Sequence, residues 1–549
     1  MTDHAPRHQL STHEVTNQPA PAPDRDLLAL DKPLREALAR EAPDWLTQRL
    51  TPLARAVGSD HVQALGAEAN RHPPTLRLFD RHGRRLDEVI YHPAYHELMH
   101  LACDQGFHAV AWEKEHQGGH QAHIAALYLL TQAEPGVCCP ITMTHAALPA
   151  LRREPRIFDE WRPRLLAWDY DPRAVPAWEK SAVTLGMAMT EKQGGSDVRT
   201  NTTRATRDGD GYRLTGHKWF CSAPMSDAFL TLAQTDDGLG CFLVPRFTPD
   251  GERNPIELQR LKDKCGNRAN ASAEIEYRGA WAQAIGDPGR GIVTILEMVQ
   301  QTRLDAATAP AGMMRQALLE AWSHVRERHA FGRRLSEQPL MRRVVADLAL
   351  ETEASLALSM RSARAFDTPD DEHERALSRL LPALGKYWHN KRGPGFMAEA
   401  MECLGGIGYV EETPLARLYR EAPVNSIWEG SGNVICLDVL RVMARHPESI
   451  DALRDELKRV QGNSHPFDNT VSQLETLLHQ PAEVLEANAR WLTQCMAQCL
   501  QAALLLRHAP QEIAETFCRS RLGPSGTSPV YGVLPSDAPL EAILERIAG

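Results

Sequence analysis

The sequence predicts an α+β multidomain protein in which a central β region lies between two helical regions. Three observations predict it. From Leu27 to about Trp178 the apolar residues recur at helical spacing, as at Ile124, Leu127 and Tyr128. From Ser181 the period shortens to two. Tyr212 and Leu214 alternate with Arg213 and Thr215 after Asp208-Gly209-Asp210-Gly211, and apolar runs at 229–232 and 241–244 flank Asp236-Asp237-Gly238, a hairpin signal. Beyond Gly291 the helical period returns at Met341, Val344, Val345 and Leu348.

These changes of period divide the chain. Residues 1–25 hold Pro19, Pro21 and Pro23 among polar neighbours and predict a flexible arm. Residues 26–180 form a helical N-terminal domain and 181–287 a β domain, with a further strand near Ser272 to Tyr277. Residues 288–445 are helical. A helical C-terminal extension covers 446–549, where Leu453, Leu457 and Val460 share a face. From Gly523 the chain is rich in Pro, Gly and Ser and is expected to be poorly ordered.

With 43% hydrophobic and 24% charged residues, the 549-residue chain has the composition of a globular protein with a large core. A net charge of −10 gives no overall pull toward nucleic acid or an acidic membrane, so such contacts would need local basic patches. Eleven cysteines without framework spacing predict buried free thiols, such as Cys241, Cys403 and Cys436, in a reducing compartment. No apolar run reaches membrane-spanning length and no hydrophobic signal core is present, which predicts a cytoplasmic protein with no membrane partner.

The chemistry concentrates in three segments. In the first, Met189 to Ala205, Gly194 and Gly195 permit close backbone approach while Thr190 and Ser196 offer hydroxyls to anionic oxygens. Trp219, Phe220 and Ser222 follow on a second strand, a set that suits a flat ring system carrying a pyrophosphate. Taken alone, the segment reads equally as a surface loop and hairpin. In the second, Trp428 and Ile427 precede Glu429 and a Gly430-Ser431-Gly432 turn. An aromatic neighbour desolvates a carboxylate and raises its basicity, as a base for a weak carbon acid requires. Ser431 and Asn433 stand near the start of the next helix, where anions bind. A lone Trp-Glu-Gly reads first as a solvated turn before a capped helix. In the third, Arg328, Phe331 and Gln338 at a helix break suit an adenine and a phosphate, although Arg-rich helix ends are usually solvated.

Together, and in this order, Met189-Thr190-Glu191 with Gly195-Ser196-Asp197, Lys218-Trp219-Phe220, Arg328 with Phe331-Gly332 and Gln338, Leu404-Gly405-Gly406 with Gly408-Tyr409, and Glu429-Gly430-Ser431 resemble the acyl-CoA dehydrogenase flavoprotein family over about 85–450. Thr12 to Pro19, Glu191 to Gly195, Arg260 to Lys264, Asn267 to Asn270, Pro423 to Asn433 and the long extension resemble its alkylation-response (AidB) branch. The resemblance implies an N-terminal helical domain, a central β-barrel and a C-terminal four-helix bundle, in homotetramers, with FAD between barrel and bundle. By motif position it implies flavin contacts from Met187, Met189, Thr190, Gly195, Ser196, Trp219, Phe220 and Ser222, and from Trp428, Gly430, Ser431 and Asn433. Arg328, Phe331 and Gln338 would hold the adenine half across a subunit boundary. Glu429 would take the α-proton of an acyl-CoA thioester. Two departures stand out: Trp428 where the family often has Tyr, and Glu402 where it has Gln. A bulkier Trp428 narrows the acyl pocket and predicts weak turnover, on short branched chains. Catabolic oxidation of short or branched acyl-CoA without a DNA role is the alternative.

The branch also implies association with double-stranded DNA and a role in the adaptive response to alkylation, protecting DNA from alkylating agents or inactivating them, with the weak dehydrogenase activity beside it. The extension is acidic, with 8 Lys and Arg against 13 Asp and Glu, so a DNA surface would need an assembled patch from Arg441, Arg445, Arg507, Arg519 and Arg521. Finally, His96-Glu97-Leu98-Met99-His100 fits a zinc-protease pattern, but its extension requires Gly at 103 and His at 106, where the chain has Cys103 and Gly106. No metal site is expected.

Overall fold

In the computed structural model, which describes residues 6–20 and 24–548, helical, β and helical regions follow one another. The rest of the expected arm, 1–5 and 21–23, lies outside the described residues. The N-terminal helices enclose α1 (Gly119–Leu130) and α2 (Pro135–Leu151). All twelve residues of α1 are buried, so the single apolar face read from Ile124, Leu127 and Tyr128 is in fact a helix covered on every side. A hairpin of β1 (Thr75–Phe79) and β2 (Arg85–Ile90) interrupts this helical region. β1 alternates only between exposed and half-buried residues and β2 does not alternate, so neither strand buries a full apolar face.

The β region contains β3 (Leu185–Ala188), β4 (Arg204–Asp208), β5 (Gly211–Ser222), β6 (Ala228–Thr235), β7 (Gly238–Pro245), β8 (Ile256–Leu261) and β9 (Ser272–Ile285). Both expected hairpins form, with Asp208 opposite Gly211 and Thr235 opposite Gly238. Gly209 supplies the positive φ that a two-residue hairpin loop needs. Pairing runs β6–β7–β9–β5–β4 and returns to β6 through the parallel contact Arg204–Gln234, so the sheet closes on itself as a barrel. β3 joins β6 in parallel, and β8 joins β9.

The second helical region is built from α3 (Gly291–Glu327), α4 (Pro339–Asp367), α5 (Glu372–Leu404) and α6 (Gly432–Arg445). α3, α4 and α5 pack mutually, α6 packs on α5, and α1 packs against both α3 and α4. In the extension, α7 (Ala489–His508) lies against α4, α5 and α6, and α8 (Gln511–Arg521) lies against α7. Leu453, Leu457 and Val460 are all buried, as their spacing predicts. The tail expected to be poorly ordered is instead fastened to the bundle. Tyr531 is buried beneath the Arg392 guanidinium, Arg546 bonds Glu353 and Glu36, and Arg315 donates to Ile547 O at 2.7 Å. Leu534, Ile543, Leu544 and Ile547 are buried with Tyr531, and the turn-rich composition around them hides this apolar anchoring.

All eleven cysteines are free thiols, and Cys241, Cys403 and Cys436 are buried. Among the described residues no helix is long and apolar enough to cross a membrane.

Candidate active site

The loop that follows β3 is fastened at its root by Glu191. This carboxylate has no solvent exposure. It accepts hydrogen bonds from Thr202 N (2.6 Å), Thr203 N (3.1 Å), Thr202 Oγ1 (3.0 Å), Gln193 Nε2 (2.8 Å) and Lys218 Nζ (2.9 Å). Burial pushes the carboxyl up, but the bonds from Thr203, Thr202 and Lys218 outweigh it and hold Glu191 well below the usual carboxylate range. Lys218, equally buried, also donates to Leu232 O at 2.9 Å. With both ends of the loop gathered on one side chain, Gly194, Gly195 and Ser196 are left on the surface.

Thr190 and Trp219 meet through the bond from Trp219 N to Thr190 O, 2.7 Å. Gly195 packs so tightly on Thr190 that a β-carbon there would fall 2.4 Å from Oγ1. Asn201 Nδ2 donates to Met189 O at 2.9 Å, and the side chains of Met187 and Met189 join the apolar cluster beneath α2. Lys262 Nζ stands 3.1 Å from the Trp219 ring centroid and is shared with Arg260 by Glu274. Phe220 is exposed.

Glu429 lies in the bundle, at the turn before α6. It adopts φ +58°, a left-handed conformation that costs a non-glycine residue on the order of 1 kcal/mol. Arg303 Nε donates to Glu429 O at 3.3 Å, and Lys386 Nζ donates to Gly430 O, so two cations hold the strained turn. Thr302 Oγ1 donates to Glu429 Oε2 at 2.7 Å. Burial raises the Glu429 pKa, against the opposing pull of Thr302, Arg303 and Lys386. Burial likewise brings Lys386 down to about 7. Cys139 of α2 links the two halves. Its thiol lies against Ser222 and Asn270, feels the charge of Lys264 and Glu429, and is pushed by burial up to about 12.

Removing the Thr302 hydroxyl tests this arrangement. The bond favours the ionised carboxylate, so Thr302→Val is expected to raise the Glu429 pKa further. The acid limb of a base-dependent reaction would move up by about one pH unit, measured as rate against pH.

The other expected residues distribute as follows. Trp428 Nε1 is buried with no hydrogen-bond partner among the described residues. Ser431 is the N-cap residue of α6, and Asn433 Oδ1 accepts from Arg490 of α7 at 3.0 Å. Arg328, Phe331 and Gln338 form a separate group, at the turn between α3 and α4. Phe331 is 95% exposed at φ +53°, and Gln338 Nε2 closes the turn on Ala330 O at 2.9 Å. Asn17 braces this turn, donating to His329 O (2.9 Å) and accepting from His329 N (2.8 Å), while Arg328 donates to Asn17 O.

The arginines expected to meet DNA are distributed over core and surface. Arg521 is only 3% exposed and is held by Asp347 at 2.5 Å and Glu351 at 3.0 Å, so it belongs to the core. Arg519 pairs with Asp537, Arg441 with Asp438 and Arg507 with Glu456, which neutralises each of them locally. Arg445 is exposed at the end of α6. In the zinc-protease look-alike, His96 bonds the Tyr170 hydroxyl, His100 packs edge-on against the same ring and faces Asp104, and Glu97 turns away to His61.

Residue reasoning missed Glu191 with Lys218, and Thr302, Arg303 and Lys386. One signal was present: Gln300-Gln301-Thr302-Arg303 and Asp305 form a polar run inside a helix that is otherwise largely buried and apolar.

Comparison with known proteins follows the same division of the chain. Residues 17–172 match the adaptive response protein AidB N-terminal domain, 186–280 the acyl-CoA dehydrogenase middle domain and 289–444 the acyl-CoA dehydrogenase C-terminal domain. The acyl-CoA dehydrogenase AidB of Escherichia coli (strain K12) is 46% identical over 518 residues, 94% of this chain and 95% of that one. This chain belongs to the acyl-CoA dehydrogenase family, in its AidB branch. Acyl-CoA dehydrogenase family member 11 of Caenorhabditis elegans is 30% identical, over 93% of this chain and 90% of its own length. The crystal structure of Caenorhabditis elegans ACDH-11 in complex with C11-CoA has a TM-score of 0.82 at 28% identity, covering 100% of this chain and 93% of that chain. As a family member, the chain is an FAD-dependent oxidoreductase that acts on CH–CH groups.

The residues present suit FAD. The exposed Gly194–Ser196 backbone, the Thr190, Ser222 and Ser431 hydroxyls and the Trp219 ring offer donors and a stacking face, and the buried Trp428 N–H awaits an acceptor.

Proposed function

We propose that Glu429 is the catalytic base of acyl-CoA α,β-dehydrogenation at the junction of barrel and bundle. The supporting observation is α2, which packs on β3 of the barrel and on α3 of the bundle, the helix whose Thr302 bonds the Glu429 carboxylate. Met187, Met189, Thr190, Gly195, Ser196, Trp219, Phe220 and Ser222 hold FAD from the barrel, and Trp428, Gly430, Ser431 and Asn433 hold it from the bundle. Bound FAD supplies the hydride acceptor. Ionised Glu429 removes the α-proton of the thioester. Its burial increases its basicity, and Thr302 fixes Oε2 so that the other oxygen is free for the substrate. Arg303 and Lys386 keep the turn from relaxing.

The substrate class follows from Trp428, which narrows the space beside the base and favours short or branched acyl groups with slow turnover. The relative crystallised with C11-CoA makes a longer chain the natural comparison. Anaerobic addition of an isovaleryl-CoA-type ester and of a C11 ester to the FAD-loaded protein, followed by flavin bleaching, tests the reading. Bleaching by neither ester removes it.

A second reading is supported by the AidB identity over nearly the whole chain: a role in the response to DNA alkylation, through binding double-stranded DNA in the cytoplasm. The paired arginines leave it without a basic patch from the expected residues. If DNA binds through its phosphates, affinity falls steeply as salt rises, and Arg445→Ala weakens it uniformly across sequences. No retardation of duplex DNA at low salt ends this reading. A homotetramer is supported by Phe331 and Arg328, presented on an exposed, strained turn where a neighbour's cofactor would bury them. Light scattering on the FAD-loaded protein checks the subunit number.

A further inference from the structure

The helix whose Thr302 bonds the half-buried Glu429 carries a fully buried carboxylate one turn farther on. Asp305 follows Thr302 by three residues on α3, a spacing that puts both on one side of the helix. Its carboxylate accepts from Thr142 Oγ1 of α2 at 2.6 Å and faces His123 Nε2 of α1 at 3.0 and 3.1 Å. The other ring nitrogen of His123 is committed. Nδ1 stands 2.8 Å from Phe107 O, and a carbonyl only accepts, so Nδ1 carries a proton. The contact between Nε2 and Asp305 needs a proton of its own. His123 and Asp305 are 1% and 2% exposed, so water does not supply it.

His145 of α2 stacks on His123 with ring centroids 3.7 Å apart and planes 12° from parallel. Its Nδ1 is bonded to His108 O at 3.3 Å, and Gln301 lies beside the ring. Burial lowers the pKa of His145, so a neutral ring lies against His123. The ligand atoms of His123, His145 and Asp305 lie within 4.8 Å of one another, but rings stacked in parallel point their nitrogens side by side rather than at one ion.

We propose that His123 is a positioning residue for the base: its imidazolium neutralises Asp305 and shields Glu429 from that fully buried negative charge. The inference rests on the reading of Glu429 as the base. The groups that bear on Glu429 are Thr302, Arg303 and Asp305 from α3, Lys386 from α5 and Cys139 from α2. Arg303 and Lys386 favour its ionised form, and Asp305 opposes it. Around His123 stand Asp305, Thr142, His145, His120 on its own helix and His108.

The test is the pH profile of flavin bleaching in the FAD-loaded wild type, His123→Gln, Asp305→Asn and the double variant, with Glu429→Gln alongside. In His123→Gln the Asp305 charge is unopposed, and the acid limb moves up by about one pH unit. Adding Asp305→Asn removes that charge and brings the limb back to the wild-type position. A limb unmoved in His123→Gln, with Glu429→Gln inactive, overturns the inference and leaves the base in place. Full activity in Glu429→Gln overturns the base itself. Should His123→Gln fail to fold, 15N NMR of histidine-labelled wild type decides. Two ring protons on His123 at about pH 8, above the ordinary histidine range, support the proposal, and a neutral ring overturns it.

Discussion

Glu429→Gln is expected to slow acyl-CoA-driven flavin bleaching by about 1,000-fold while flavin content and melting temperature stay near wild type. The amide is the same shape and its oxygen still accepts from Thr302, so the turn held by Arg303 and Lys386 keeps its φ of +58°. What is lost is the ability to take up a proton, and positioned general bases contribute between about 100- and 10,000-fold. Glu429→Asp separates chemistry from placement. It keeps the carboxylate but withdraws it by one methylene, and a displacement of that size costs on the order of 100-fold. Rapid-mixing absorbance at the flavin band reads both variants. Wild-type bleaching in Glu429→Gln removes this residue from the chemistry, and loss of flavin in that variant assigns it to the fold instead.

The second large effect lies at the root of the flavin loop. Lys218→Met is expected to destabilise the protein by about 3–5 kcal/mol and to release FAD, because it strips the counter-ion from a carboxylate that has no access to water. Glu191→Gln is expected to be milder. It removes the negative partner of Lys218 but keeps an oxygen that can accept from it beside Leu232 O, and burial already lowers the lysine's affinity for its proton, so the side chain can shed its charge. The double variant should recover much of the loss, since the two charges then leave together. Thermal melts with flavin fluorescence measure all three. The acid response has a definite sign. Glu191 is held below the usual carboxylate range, so its contribution is complete above that range. It is lost as pH falls through the depressed folded value. The wild type should therefore lose stability below about pH 4 more steeply than Glu191→Gln.

Period changes in the sequence located the barrel and both helical regions. The Asp-Gly turns located its hairpins to the residue, because a two-residue loop demands a positive φ that few residues tolerate. The hairpin at 75–90 and the anchored tail escaped, since one buries no full apolar face and the other is fixed by apolar and charged partners distant in sequence. Arg521 shows the limit from the other side. As a letter it is a surface cation, and only its placement between Asp347 and Glu351 makes it a core residue. Within the site, Glu429, Trp219 and the glycines were legible because local chemistry restricts those positions to few residue types. Thr302, Arg303 and Lys386 were not, because a Thr, an Arg or a Lys in a helix is ordinary until its partner is known.

By itself, the sequence determined the order of the three regions and the family, through motifs whose backbone or chemistry admits few alternatives. The tertiary structure alone decided how those pieces work together. It gathers the loop on Glu191 and Lys218, strains Glu429 against two cations, sets Cys139 between barrel and bundle, and places the His123–Asp305 pair one turn from the residue that holds the base. The reason is the low dielectric of a buried junction. Charge and hydrogen-bond partners there are fixed by which distant segments meet, and no local pattern in the chain records that meeting.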